Sequence, residues 1–201
     1  MPEKVKAEPR LLSAKEIKKL IAKAEGPFET ILLKLALTGM RINEVLGLRV
    51  EDIDFGEKII QVTQFAYNGT LGTPKSKASE GNIPLPTTLE ELLCKHLAPE
   101  HYRKTPLGVL FANRRLGPYS NNKVRAKDLR PLLEILGMKQ VGFHATRPGV
   151  ASELINRGTP ITVARELMRH SDGRVTLGIY GRAMGDAQRK AVEKLTKKMI
   201  A

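Results

Sequence analysis

The chain has 201 residues, with 34 Lys+Arg against 21 Asp+Glu, a formal net charge of +13 and one cysteine. Cys94 on its own excludes an intramolecular disulfide framework and any multi-cysteine zinc or iron–sulfur site, and it fits a reducing, cytoplasmic setting. At 41% hydrophobic and 27% charged residues, the chain has material for a packed core and is not a disordered tail. No stretch approaches the roughly 18–20 uninterrupted apolar residues of a membrane span, and MPEKVKAEPR carries no apolar signal-peptide core. The excess positive charge therefore points to a polyanionic partner, nucleic acid before any other, with a merely solvated basic surface as the alternative.

Residues 1–12 read as a linker, with mixed charge, two prolines and little periodicity. Ser13 and Glu16 form a capping box that opens a helix with Ile17, Leu20, Ile21 and Ala24 on its buried stripe. Gly26–Pro27 stops it. A second helix, 28–38, is apolar on most faces and belongs in the core; Gly39 ends it, and 41–46 is a short helical piece with Arg41 near its start. The middle reads as strands. Residues 53–55 precede a Gly56–Glu57 turn. Residues 58–65 follow, with Ile60, Val62 and Gln64 on one face and Ile59, Gln61 and Thr63 on the other. Asn68–Gly69 and Leu71–Gly72 are turn chemistry, and a third strand, 82–85, returns after a polar stretch. Helices are expected at 87–97, 121–136, 145–156, 161–168 and 186–200. Gly137 and Gly158 act as stops, and Pro160 lies in a first turn after a Thr159 cap. No GxGxxG or GxxxxGK[ST] occurs, which disfavours nucleotide-binding α/β folds. The fold class is α+β, mainly α-helical, with a small three-stranded antiparallel sheet inserted early.

Some residues at element boundaries could carry chemistry. Arg41 begins a turn where backbone N–H groups and a guanidinium can converge on an anion, with Glu44 placed to hold it; the plain alternative is a surface i, i+3 ion pair. His144 and Arg147, also i, i+3, put imidazole and guanidinium on one face at a positive helix end, which is unfavourable unless an anion sits between them. Lys75 and Lys77 lie in a polar loop where a lysine is usually solvated. His170 precedes a Ser171–Asp172–Gly173 turn and could simply satisfy helix-end carbonyls, and Tyr180 is one of four tyrosines. Together they match one reaction: attack of a tyrosine on a phosphodiester, which needs a nucleophile, charge stabilisation, a base and an acid.

The sequence resembles the catalytic domain of the tyrosine recombinases, the phage integrase family. LTGMRINEVLGLRVEDID looks like the first arginine box, TPKSKASEGNIPLP the β-hairpin lysine box, GFHATRPGVASELINRG the second box and ELMRHSDGRVTLGIYGR the third. The resemblance implies the tyrosine-recombinase fold over 13–185, a linker at 1–12 and a helical tail at 186–201. It also implies that the family's N-terminal DNA-clamping domain is absent from this chain. It implies, further, that Tyr180 attacks the scissile phosphate to leave a 3′-phosphotyrosyl bond and a free 5′-hydroxyl, and that Arg41 and Arg147 bind the non-bridging oxygens. Glu44 supports Arg41, Lys75 protonates the leaving 5′-oxygen, His144 assists proton removal and His170 hydrogen-bonds the phosphate. Lys77, Arg169 and Arg174 join Arg41, Lys75 and Arg147 as DNA contacts. The implied partners are double-stranded DNA and further copies of the chain, in a dimer or tetramer on DNA; no cofactor or metal is implied.

Two positions depart from the family pattern: Pro148 stands where His or Arg usually follows the second-box arginine, and the His170–Tyr180 interval is one residue longer. They motivate an alternative reading, a catalytically impaired DNA-binding relative that regulates recombination. A third reading, a metal-dependent nuclease, would need Glu51, Asp52 and Asp54 as a carboxylate cluster, or His96 and His101, whose i, i+5 spacing puts them on different helix faces. In the tail, Val192, Leu195 and Met199 form an apolar stripe beside Lys190, Lys194, Lys197 and Lys198. It suits either packing on its own domain or docking on a neighbouring protomer. Neutralising ~6 phosphates would give a log–log salt slope of roughly −5 for DNA binding.

Overall fold

The computed structural model describes residues 11–73 and 80–169, together with Glu193 and Thr196, both helical. The first helix, α1 (Ala14–Lys23), starts on the expected capping box: Ser13 Oγ accepts from the Glu16 N–H at 3.3 Å, and the Glu16 carboxylate accepts from the Ser13 N–H at 2.8 Å. Ile17 and Leu20 are buried, with Ile21 and Ala24 half-buried against the same core. Helix α2 (Pro27–Leu37) begins on a proline whose missing N–H would have no intrahelical partner, and it buries Ile31, Leu32, Leu33, Leu35 and Ala36. It runs through the middle of the domain, touching α1, α3 (Ile42–Gly47), α4 (Thr87–Leu97) and α7 (Thr146–Asn156). Leu12 is fully buried, and its N–H donates to the Ala145 carbonyl at 3.0 Å, which fixes the start of the described chain against α7.

The strands are β1 (Ile53–Asp54), β2 (Ile59–Val62), β3 (Phe65–Tyr67), β4 (Thr70–Gly72) and β5 (Gly81–Pro84). The expected three-stranded antiparallel sheet is present in the order β1-β2-β5, with Ile60 opposite both Ile53 and Ile83. The expected alternation holds: Ile60, Val62 and Gln64 are buried, while Gln61 and Thr63 are exposed. Two expectations are corrected. The strand expected over 58–65 breaks after Val62, because Thr63 Oγ1 and Gln64 Nε2 donate to the Asp52 carboxylate at 2.8 and 3.4 Å and turn the chain away from the sheet. Leu71 and Gly72 are not a turn; they pair with Ala66 and Phe65 in a separate hairpin, β3-β4. That hairpin is closed by Asn68 and Gly69, both at positive φ (50° and 85°), as a two-residue hairpin turn requires.

The acidic residues considered as a nuclease cluster are engaged locally. Asp52 caps the short 3₁₀ turn Val50–Asp52 by accepting from the Arg49 N–H at 2.9 Å, Asp54 Oδ1 accepts from the Glu57 N–H at 2.8 Å, and Glu51 pairs with Arg49 at 2.9 Å.

The β3-β4 hairpin lies on α3 through a close backbone approach at Gly47. A Cβ there would stand 2.6 Å from the Phe65 carbonyl carbon. Gly47→Ala must push the hairpin off the helix, and overpacking of this kind costs about 1–3 kcal/mol. Thermal unfolding should show the loss; an unchanged Tm would mean that the contact is not tight.

The helix expected over 121–136 is interrupted. It runs as α5 (Asn121–Val124), a π turn (Arg125–Leu129) and α6 (Arg130–Ile135). Pro131 has no N–H for the Lys127 carbonyl, and the turn before it widens so that the Arg130 N–H reaches the Arg125 carbonyl. Helix α8 (Ile161–Met168) starts after Pro160, which is itself the cap residue; no side-chain cap bond from Thr159 is formed. Gly137 and Gly158 stop their helices at φ 64° and 87°. Among the described residues, no helix is long and apolar enough to cross a membrane.

Candidate functional site

Where α3, α7 and α8 meet, arginines far apart in the chain surround one carboxylate. Glu44 is 5% exposed in the first turn of α3. Its Oε2 reaches back to accept from the Arg41 backbone N–H at 2.7 Å, and its Oε1 accepts from Arg41 Nη1 at 2.8 Å. Oε2 also accepts from Arg169 Nη2. Arg169 is the C-cap of α8, in the left-handed region at φ 47°, and its side chain is 6% exposed. The left-handed turn folds that side chain back to Glu44 rather than out to solvent. The third arginine, Arg147 on the first turn of α7, is buried and donates to the carbonyls of Gly39 and Met168.

These carbonyl partners follow from local structure. The last carbonyls of a helix carry partial negative charge and lack intrahelical donors. At the end of α8 the Met168 carbonyl takes Arg147, and the Arg169 carbonyl takes Arg41 Nη2 at 3.2 Å. The Gly39 carbonyl is presented by a chain reversal at φ 89°, and a Cβ on Gly39 would lie 2.9 Å from the Leu167 carbonyl oxygen. Glycine is required there both for the backbone conformation and for the close approach to α8.

Among the described residues, Arg41, Arg147 and Arg169 against Glu44 leave a surplus of two positive charges in a largely water-excluded place. The cost falls on the buried members. Burial, then the charge of Arg41, lowers the Arg147 pKa to about 10, with Glu44 opposing and Arg169 adding to the fall. Arg169 is lowered first by burial and then by Arg41, while Glu44 holds it up. Among the described residues, Nε and Nη1 of Arg169 are buried without a hydrogen-bond partner. Arg41 keeps 34% of its side chain exposed, so the cluster opens to solvent on the Arg41 side. A buried cationic surplus with one open edge is suited to an anion with several acceptor oxygens.

The residues singled out from sequence separate into three groups. Arg41, Glu44, Arg147 and Arg169 are brought together. Arg169, taken from sequence as a DNA contact, is turned inward onto Glu44. His144 lies in the 3₁₀ turn Phe143–Ala145 and is exposed, whereas Arg147 is buried. The expected common face of the two is therefore not formed: the long guanidinium arm reaches inward to backbone acceptors, and the imidazole stays at the surface. Lys75, Lys77, His170, Arg174 and Tyr180, with the tail helix apart from Glu193 and Thr196, lie outside the described residues. The carbonyl acceptors of Gly39 and Met168 were not anticipated, and no spacing signal reveals bonds between residues 108 and 21 positions apart. Pro148 is the third residue of α7, where an N–H has no partner within the helix, so its ring removes no helical bond.

Similar proteins share this architecture. A XerC-like tyrosine recombinase of Caldanaerobacter subterraneus subsp. tengcongensis is 29% identical over 96% of this chain and 55% of its own length. The tyrosine recombinase XerA of Pyrococcus horikoshii is 27% identical over 96% of this chain and 64% of its own. The chain thus spans between about half and two thirds of these relatives. In fold it is similar to the crystal structure of XerA recombinase, with TM-score 0.73 and 22% identity over 95% of this chain and 66% of that one. It is also similar to the Tn1549 transposon integrase in complex with a circular intermediate DNA, with TM-score 0.77 and 21% identity over 94% and 67%. The sequence pattern of the phage integrase family matches residues 10–185. That match takes in both halves of the arginine cluster, the α2–α3 junction and the α7–α8 pair, and by it the chain belongs to the phage integrase family, the tyrosine recombinases.

Proposed function

We propose that this chain is the catalytic part of a site-specific DNA recombinase that breaks and rejoins strands through Tyr180. The observation that carries the reading is the buried surplus of two positive charges around Glu44, open on the Arg41 side. The phenol oxygen of Tyr180 attacks the scissile phosphorus and forms the 3′-phosphotyrosyl bond; the bond to the 5′-oxygen breaks, and that oxygen leaves protonated. Arg41 and Arg147 take the non-bridging oxygens as negative charge builds on them. A phenol of pKa ~10 attacks poorly at neutral pH, so the cationic field and a base are both needed. His144 fits the base and His170 a further phosphate donor. Lys75 fits the acid, and support comes from Gly81, six positions further along the chain at the start of β5, which lies beside the cluster: a Cβ there would stand 3.3 Å from the Arg169 side chain. The phosphotyrosyl bond keeps the phosphoester energy, so rejoining needs neither ATP nor a metal. The partners in this reading are duplex DNA and further protomers joined through the tail, and the setting is the cytoplasm, at the nucleoid.

The experiment is incubation of the protein with a nicked suicide DNA substrate in EDTA. We expect a covalent protein–DNA adduct on a denaturing gel, absent in Tyr180→Phe. Cleavage that EDTA abolishes would overturn the reading in favour of a metal-dependent nuclease. Binding with no adduct would favour the impaired DNA-binding relative.

A further inference from the structure

Arg169 is strained, buried and only partly bonded. Its φ of 47° lies in the left-handed region, which glycine adopts freely and an L side chain does not. Its side chain is 6% exposed, so a charge is held away from water. Burial pulls its pKa down, and Glu44 holds it up. Among the described residues, Nε and Nη1 find no acceptor, and the guanidinium bonds through Nη2 alone. Such a residue persists only where its surroundings over-determine it, and such positions cluster at active sites.

Its neighbours show both what holds it and what it does. The aliphatic stem packs along the start of β5, where a Cβ on Gly81 would stand 3.3 Å from Arg169 Cδ. Arg169 then acts on Arg41 twice. Its main-chain carbonyl accepts from Arg41 Nη2 at 3.2 Å. Its guanidinium takes Glu44 Oε2, the oxygen that also accepts from the Arg41 backbone N–H. Only Oε1 is left for the Arg41 side chain, which it meets through Nη1 at 2.8 Å. An arginine and a carboxylate on their own favour a two-pronged pair, with both oxygens facing one guanidinium. Here Arg41 is gripped at one terminal nitrogen by Glu44 and at the other by the Arg169 carbonyl. Among the described residues, each of those nitrogens keeps one N–H to give, on a side chain that is 34% exposed. The charge is divided in the same way: two guanidiniums share one carboxylate, so Arg41 is only partly neutralised.

We propose that Arg169 is a positioning residue for strand cleavage: by occupying one oxygen of Glu44 and pinning Arg41 through its carbonyl, it keeps the Arg41 guanidinium cationic and turned toward the phosphate. The role rests on the reading of Arg41 as a phosphate-binding arginine. Arg169 itself touches no DNA in it, unlike the contact expected from sequence. With no cation on Oε2, Glu44 turns wholly to Arg41. The pair then becomes nearly neutral, draws inward and offers less charge where negative charge builds in the transition state. The backbone strain and the unused donors of Arg169 thus lower stability and serve the reaction.

The test compares wild type with Arg169→Gly, which suits the left-handed backbone and keeps its carbonyl, and with Arg169→Lys, which keeps a cation. For each, Tm, the salt slope of duplex binding and the single-turnover rate of adduct formation at saturating suicide substrate are measured. We expect Arg169→Gly to unfold at or above the wild-type Tm and to keep the wild-type salt slope. Its adduct should form roughly 10- to 100-fold more slowly, the scale of a displaced reacting group. Arg169→Lys should recover most of that rate, because an ammonium on Oε2 also divides the carboxylate. A wild-type rate in Arg169→Gly overturns the role, and so does a slower rate matched by a fall in Tm, which is the mark of a structural residue. A salt slope flatter by about 1 in Arg169→Gly overturns it in favour of a direct phosphate contact. An Arg169→Lys protein as slow as Arg169→Gly overturns the sharing of charge. No adduct with the wild-type chain would instead overturn strand transfer through Tyr180, and this role with it.

Discussion

Arg147→Lys is expected to lower the rate of covalent adduct formation by at least about 10²-fold, the usual cost of losing one well-placed donor to a transition-state oxyanion. The charge is nominally kept, so the loss must come from geometry and protonation. A guanidinium spans the Gly39 and Met168 carbonyls with two of its nitrogens and still has donors to give. One ammonium cannot span both, and a carbonyl left without its donor in a buried place costs about 1–3 kcal/mol. The site also punishes a weaker base. Burial and the charge of Arg41 already lower Arg147 to about 10. A lysine in that position starts from a lower pKa and loses its proton more readily. Single-turnover cleavage of the suicide substrate measures the effect, with circular dichroism to confirm folding. Near-wild-type cleavage by a folded Arg147→Lys protein would show that Arg147 does not contact the reacting phosphate.

The second large effect is expected at Glu44. Glu44→Gln keeps an acceptor for the Arg41 N–H but removes the only carboxylate that, among the described residues, the cluster arginines share. Arg41, Arg147 and Arg169 would then face one another without a counter-charge. Removing one partner from a buried ion pair costs about 3–5 kcal/mol, because a charge remains buried and unpaired. Thermal unfolding at low salt should show a large fall in Tm. Added sulfate should restore more stability to Glu44→Gln than to wild type, since an anion bound only by the folded state stabilises it in proportion to its affinity. Equal sulfate responses in the two proteins would show that the cluster is not an anion site.

Much of the fold was legible in the sequence because its signals are local. The Ser13–Glu16 capping box, the apolar run of α2, the alternation along β2 and the Asn68–Gly69 turn each depend on neighbours within a few positions, and each formed as the pattern demands. The misreadings have two causes, one at a distance and one local. Strand β2 ends where it does because Asp52, eleven and twelve positions earlier, takes Thr63 and Gln64. The π turn answers to Pro131, but nothing in the residue pattern says that the helix will widen rather than kink.

The candidate site divides in the same way. Arg41 and Glu44 are three positions apart, and their pairing follows from helix geometry alone. The partnership of Glu44 with Arg169 spans 125 positions. It depends on α8 ending in a left-handed residue whose side chain folds back toward α3, and no periodicity encodes that. By itself, the sequence determined most of the element types, the excess of positive charge and the motif residues of the family, since propensity, capping and alternation act over a few residues. Only the tertiary structure decided which arginines share a carboxylate, and that His144 stays at the surface while Arg147 is drawn inward. Long-range packing sets which helix ends meet, and the charges at those ends follow the backbone that carries them.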